Sequence, residues 1–263
     1  LNFAFMAFCD DRNGAAFADV TYGFYPVFAA INSVPYTEIP LQKDFTLCAE
    51  DYCGIHKTIF IANPNAPTGI ALPTCEIEKI LRSNPDNVVV VDEAYVDFGA
   101  ESMLPLIRKY DNLMVVQTFS KSRAMAGMRI GFAIASEKLI GYLKDVKFSY
   151  NSYTMNLPAI ELGVEAVKDR EYFENTVRRI IETREWTKAQ LKNLGFTFTD
   201  SKSNFLFAAH EKVPAQQIFD ELRKRKIYVR HWNRPRIENY LRITIGTPEQ
   251  MEKLCEALEE ILG

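Results

Sequence analysis

Apolar residues in this chain fall in short runs, separated by stretches in which they recur at helical spacing. The runs read as buried strands and the stretches between them as amphipathic helices, an alternation that predicts βα units around a largely parallel sheet. Strands are expected at residues 15–20, 58–62, 88–91, 113–119 and 129–135, and the helices between them include 25–32 and 76–83. Residues 88–91 are four valines between Asn-Pro-Asp-Asn and Asp-Glu, the pattern of a central strand covered on both faces.

From about Leu157 the texture changes. A long charged amphipathic helix is expected at 159–193, followed by "GFTFTDSKSNFLFA", a helix at 214–225, "KIYVRHW", "YLRITIGT" and a closing helix from Pro248. The prediction is a large α/β domain over 1–156 and a smaller α+β domain over 157–263 that begins with the long helix, with no repeats or low-complexity linker. A cleft between two such domains is a natural ligand site. The start, "LNFAFMAFCD", has helical apolar spacing from its first residue and no capping Ser, Thr, Asp or Asn. It reads as the middle of a helix, and hence of a longer parent chain.

Composition narrows the function classes. The chain of 263 residues is 48% hydrophobic and 25% charged with a net charge of -3, so nothing draws it generally to nucleic acid or an anionic membrane. Any anion site must be local. Acids and bases interleave in "KDREYFENTVRRIIETREWTK", which reads as a solvated helix face with Phe173 and Trp186 on its buried stripe. Five cysteines, Cys9, Cys48, Cys53, Cys75 and Cys255, lack CxxC spacing, and His56, His210 and His231 are equally dispersed. A zinc site or disulfide framework is therefore not expected, and the protein reads as reduced and cytoplasmic. No apolar stretch approaches the ~20 residues of a spanning helix, and no basic leader precedes the apolar start.

The chemistry lies at the ends of the expected strands, where open α/β sheets bind their ligands. Residues 58–62 end in "NPNAPTG", 88–91 in "DEAY" and 113–119 in "SK", and Arg129 opens the next apolar run. Singly, each has a bland reading: Asp92 can cap a turn, Tyr95 can be a half-buried tyrosine and Lys121 a solvated loop lysine. Together they supply an amine, a carboxylate, a phenol, a hydroxyl and a guanidinium. Pyridoxal 5'-phosphate needs this set, with an amine for its aldehyde, a carboxylate for its pyridinium nitrogen, and Ser and Arg for its phosphate.

"NPNAPTG" at 63–69, "VVDEAYVDFG", "TFSKSRAMAGMRIGF" and "YLRITIGT" together resemble the fold-type I, class I and II aminotransferases, in the family's order and over essentially the whole chain. The details are most similar to the branch that acts on histidinol phosphate. The resemblance implies a PLP-binding large domain with a mostly parallel sheet sandwiched by helices, a smaller C-terminal domain, and a cytoplasmic homodimer in histidine biosynthesis. It implies amino transfer between histidinol phosphate and 2-oxoglutarate. It makes Lys121 the catalytic residue that bonds the cofactor and moves the substrate proton, Asp92 the partner of the ring nitrogen and Tyr95 that of the phenolic oxygen. Ser120 and Arg129 are implied to hold the phosphate, Tyr22 to stack on the ring, and Arg242, with Arg230 beside it, to bind the anionic end of the substrate. A surface salt bridge is the bland reading of both arginines; Arg242 departs from it because it lies in an alternating strand-like run.

Two departures from the family pattern stand out. Ala66 occupies the place of the usual Asn before "PTG", so that hydrogen bond is lost or passes to a neighbour such as Asn65, and a cis bond at Ala66-Pro67 would suit the family's habit. The family's preceding region, with a "GSDE"-like turn that caps the first helix and cradles phosphate, is not in the sequence, so weakened activity is an expectation. The alternatives are another PLP enzyme of the same fold, such as an aromatic transaminase or a threonine-phosphate decarboxylase, and a non-catalytic fragment. His231 reads as a surface histidine.

Overall fold

The computed structural model describes all 263 residues. Ten strands form two sheets. The first has six strands, in the order β2 (Tyr36–Ile39), β1 (Ala15–Ala18), β3 (Thr58–Ala62), β4 (Val89–Asp92), β5 (Leu113–Thr118), β6 (Gly131–Ala135). All neighbours are parallel except β6, which runs antiparallel to β5.

Strand side chains alternate between faces, so a sheet covered on both sides must be apolar at every position. Val89, Val91, Ile59, Ile61, Leu113 and Val115 pack with Ile77, Ile80 and Leu81 of α3 (Thr74–Ser83). The intervening Phe60, Val90 and Met114 pack with Phe5 of α1 (Asn2–Phe8), Tyr25 and Ala29 of α2 (Tyr25–Ile31), and Leu139 of α4 (Glu137–Tyr150). The sheet is thus sandwiched, and its polar groups emerge only at strand ends.

The second sheet is antiparallel, in the order β7 (Phe196–Phe198), β8 (Phe205–His210), β10 (Leu241–Thr244), β9 (Arg230–His231). Its core joins Leu206, Ala208, Leu241 and Ile243 to Leu191 of α6 (Arg170–Asn193), Ile218 and Leu222 of α7 (Ala215–Lys224), and Leu254 and Leu258 of α8 (Pro248–Leu262). Thr247 and Gln250 form a capping box at the start of α8.

The structure departs from the sequence expectations at Asp169, Arg129, Trp186 and Phe173, and adds a strand they did not include. The single helix expected at 159–193 is two, α5 (Leu157–Lys168) and α6, because Asp169 leaves helical geometry and caps the second through Tyr172 N–H at 3.2 Å. Arg129 is not in a strand: it adopts left-handed backbone, φ 57°, and β6 starts at Gly131. Trp186 is 38% exposed rather than core, and Phe173 is half-buried beneath the Arg123 guanidinium, 4.1 Å from the ring centroid. Strand β2, exposed at three of its four positions, carries no alternating signal. Both Asn63-Pro64 and Ala66-Pro67 are cis.

Candidate active site

The carboxyl ends of β3, β4 and β5 open onto one cavity of about 380 Å³, lined by Tyr22, Asp92, Tyr95, Ser120, Lys121 and Arg129, with Ala66 and Thr118 among the rest. Residues separated by more than a hundred positions meet there because parallel strands align their ends.

Asp92, the last residue of β4, is buried. Its carboxylate accepts from Ala94 N–H at 3.2 Å and from the Tyr25 hydroxyl at 3.2 Å, and no cation pairs with it directly. Burial raises its pKa, while the Leu1 amino-terminal charge, those hydrogen bonds and the Lys121 charge work in the opposite direction. A buried carboxylate facing a cavity is a receptor for a protonated nitrogen. Tyr25, which the sequence reading did not single out, orients it; burial and the neighbouring Asp92 charge push the Tyr25 hydroxyl well up and keep it a donor.

Ser120 and Lys121 follow β5 after Phe119. Lys121 is half-buried, and its side-chain amine has no ion pair or hydrogen bond and lies 5.3 Å from the Tyr95 ring centroid. Its turn is anchored by Ser122, whose hydroxyl donates to Asp97. The Thr118 hydroxyl accepts from Ser120 N–H at 3.1 Å and lies 2.9 Å from the Ser120 hydroxyl, so the serine is aimed. Arg129, in its left-handed turn, is an exposed residue on the cavity wall, with Nη1 donating to Ala126 carbonyl at 2.9 Å. Tyr22, 39% exposed, packs edge-on against Tyr25 at 5.6 Å. Burial, then the charges of Asp92 and Tyr95, raise its pKa, and Arg129 lowers it.

Asn65 is already committed: its amide donates to Val20 carbonyl at 2.9 Å and to Thr68 at 3.0 Å, while it accepts from Thr21 at 2.7 Å. It is not free to replace the missing side chain at Ala66.

A second cavity of about 100 Å³ adjoins the first, with Tyr22 and Ala66 lining both. Arg242 opens onto it, with Nε buried and without a hydrogen-bond partner. The guanidinium lies 5.2 Å from the Phe205 centroid and 5.6 Å from that of Trp232. Arg230 is its cross-strand partner, exposed and 5.4 Å from the same indole, and lines neither cavity. Like charges opposed across a ladder repel, and neither guanidinium has a carboxylate in reach. An anion between them would relieve both. His231 is not a free surface group: Nε2 is 2.7 Å from the Glu238 carbonyl.

Phe205, Trp232 and Tyr25 are the neighbours the sequence left unnamed. Only Trp232, one residue from "RH", carried a local signal.

The family model described as aminotransferase class I and II matches residues 1–258. Histidinol-phosphate aminotransferase of Brachyspira hyodysenteriae is 48% identical over 263 residues, covering 100% of this chain and 74% of the relative. That of Lactococcus lactis subsp. lactis is 47% identical over 262 residues, covering 100% and 73%. The crystal structure of histidinol-phosphate aminotransferase from Sinorhizobium meliloti in complex with pyridoxal-5'-phosphate superposes with a TM-score of 0.86 at 20% identity, over 99% of this chain and 73% of that one.

Proposed function

The chain belongs to the class I and II aminotransferases, and on that premise we propose that it transfers an amino group between histidinol phosphate and 2-oxoglutarate, using pyridoxal 5'-phosphate. The relatives that carry the name at 47–48% identity support the substrate. The observation that carries the reading on this chain is the coupling of one cavity holding an amine, a buried carboxylate, a serine and an arginine to a second opened by a half-buried arginine whose Nε is buried and unpartnered.

The donor set fits the cofactor. Asp92 would face its ring nitrogen, Tyr95 its phenolic oxygen, Ser120 and Arg129 its phosphate, Tyr22 its ring and Lys121 its aldehyde. Bound there, the cofactor supplies an electron sink for the negative charge that develops at the substrate Cα. Asp92 keeps a proton at the nitrogen, because burial penalises the separated charges less once they are paired. Lys121, without a competing partner, moves the proton at Cα. Arg242 and Arg230 bind the substrate's anionic end, and two opposed guanidinium groups suit a phosphate dianion better than a single carboxylate. A half-reaction series with histidinol phosphate, glutamate and phenylalanine tests the substrate. Faster turnover of phenylalanine, or release of CO2 from threonine phosphate, overturns it.

We place the enzyme in the cytoplasm; no helix is long and apolar enough to cross a membrane. We expect a homodimer, with the exposed apolar side chains Phe148, Tyr150, Tyr153, Leu157 and Ile160 facing a second copy. Light scattering at micromolar concentration checks this; a mass of one chain contradicts it.

A further inference from the structure

Arg184 lies in the middle of α6 with 3% of its side chain exposed. A guanidinium at that depth is expensive unless its donors are met. Its only carboxylate is the adjacent Glu185, at 2.9 Å from Nε and 51% exposed. The inner nitrogen, Nη1, instead donates to two main-chain carbonyls, Phe98 and Ser203, both at 2.8 Å. Phe98 closes the turn after β4, and Ser203 precedes β8. One side chain therefore ties a loop of the parallel sheet to a loop of the antiparallel sheet.

Each tied carbonyl is close in sequence to an aromatic ring of the site. Tyr95 is three residues before Phe98, and Phe205 is two after Ser203. The two rings meet edge-on with centroids 5.1 Å apart. Lys121 Nζ lies 5.3 Å from the Tyr95 centroid, and the Arg242 guanidinium lies 5.2 Å from the Phe205 centroid. Lys121, Tyr95, Phe205 and Arg242 thus form a continuous stack from the amine to the anion-binding end. Other ties across the seam, Lys202 N–H to Gly69 carbonyl at 2.8 Å and the Thr199 hydroxyl to Thr68 carbonyl, hold the turn after β3 rather than the Tyr95 turn.

We propose that Arg184 is a positioning residue for amino transfer: by holding the Phe98 and Ser203 carbonyls on one guanidinium, it sets the spacing of Tyr95 and Phe205, and so of Lys121 relative to Arg242. This rests on the reading of Lys121 and Arg242 given above. A molecule that bridges both ends senses the spacing, whereas one that binds a single end does not. A shift near 1 Å in such a frame lowers rate by about 10²-fold.

The test compares wild type with Arg184→Lys and Arg184→Met, all in a Trp186→Phe background so that fluorescence reports Trp232. Inorganic phosphate probes the Arg242 end, and borohydride trapping of pyridoxal phosphate probes the Lys121 end. The expected result is that both single-end affinities stay within about threefold while kcat for histidinol phosphate, or for whichever amino donor wild type turns over best, falls about 10²-fold. Unchanged kcat in the folded variants overturns the proposal, as does parallel loss of kcat and both affinities, which is the mark of a merely structural role. Should neither Arg184 variant fold, Arg184→Gln, which keeps a neutral donor in place of the guanidinium fork, must give the same split; unchanged kcat there overturns the proposal. A wild type that prefers another donor counts against the substrate reading alone, and one that turns over no amino donor overturns both.

Discussion

The two halves of the site treat buried charge in opposite ways. On the parallel sheet, Asp92 is fixed by Ala94 and Tyr25 at the end of a four-residue strand buried throughout. On the antiparallel sheet, Arg242 is held by ring faces, with Nε unpartnered and a second arginine across the ladder. The first arrangement is complete except for one cation. The second is frustrated until an anion arrives. A resident cofactor calls for a pre-formed receptor, whereas a substrate that must leave again is matched by a site whose own groups repel.

The largest effect that would break this contrast is at Lys121. Lys121→Ala is expected to abolish borohydride-trapped pyridoxyl label at this position and to lower amino transfer by at least about 10³-fold, since both covalent attachment and proton movement are lost. Label mapped to another lysine by mass spectrometry would remove the parallel sheet from its role.

Next is Arg242→Ala, where removing a half-buried guanidinium that would pair with a charged ligand costs about 2–5 kcal/mol of binding. It is expected to raise KM for histidinol phosphate by roughly 10²–10³-fold with cofactor binding retained. Loss of the cofactor instead would show that the two halves are not separable.

Asp92→Asn sharpens the comparison through pH. Because its pKa is raised in the folded protein, Asp92 contributes full stability only below its unfolded pKa, and the contribution is lost as pH rises through the folded value. The cofactor-free Asp92→Asn variant is therefore expected to melt above wild type at pH 7, by roughly 2–4 °C per kcal/mol recovered. The gap should close as pH falls into the ordinary carboxylate range, and calorimetry across that range reads it. Activity moves the other way, down about 10²-fold or more, because the ring nitrogen loses its charged partner.

Arg230→Ala is the smallest. One exposed charge-assisted contact is worth about one to two kcal/mol, so roughly tenfold in substrate affinity. Without phosphate, its removal should leave the melting temperature equal or higher, since a like-charge contact disappears. A clear fall in stability would show that the pair is not frustrated.

The same division decided what could be read from sequence. Asp92 and Lys121 were legible because a polar group directly after an apolar run marks the end of a buried strand, and parallel strands gather their ends. Arg129 was assigned to a strand because its left-handed turn leaves no trace in an apolar pattern. The break at Asp169 was hidden by uninterrupted amphipathic spacing on either side. Tyr25 and Phe205 look like ordinary core residues, and their importance comes from neighbours 67 positions away in one case and on the other sheet in the second. The opposition of Arg230 and Arg242 depends on pairing across a two-residue strand, too short for any periodicity to announce.

The most direct measurement is single-turnover amino transfer from histidinol phosphate and from histidinol, which differ only in the phosphate, by wild type and Arg242→Ala. The predicted result is a preference of wild type for the phosphorylated amine by about 10²-fold or more, collapsing to within a few-fold in the variant. Equal rates with the two amines in wild type would contradict the assignment of the arginine pair to a phosphate.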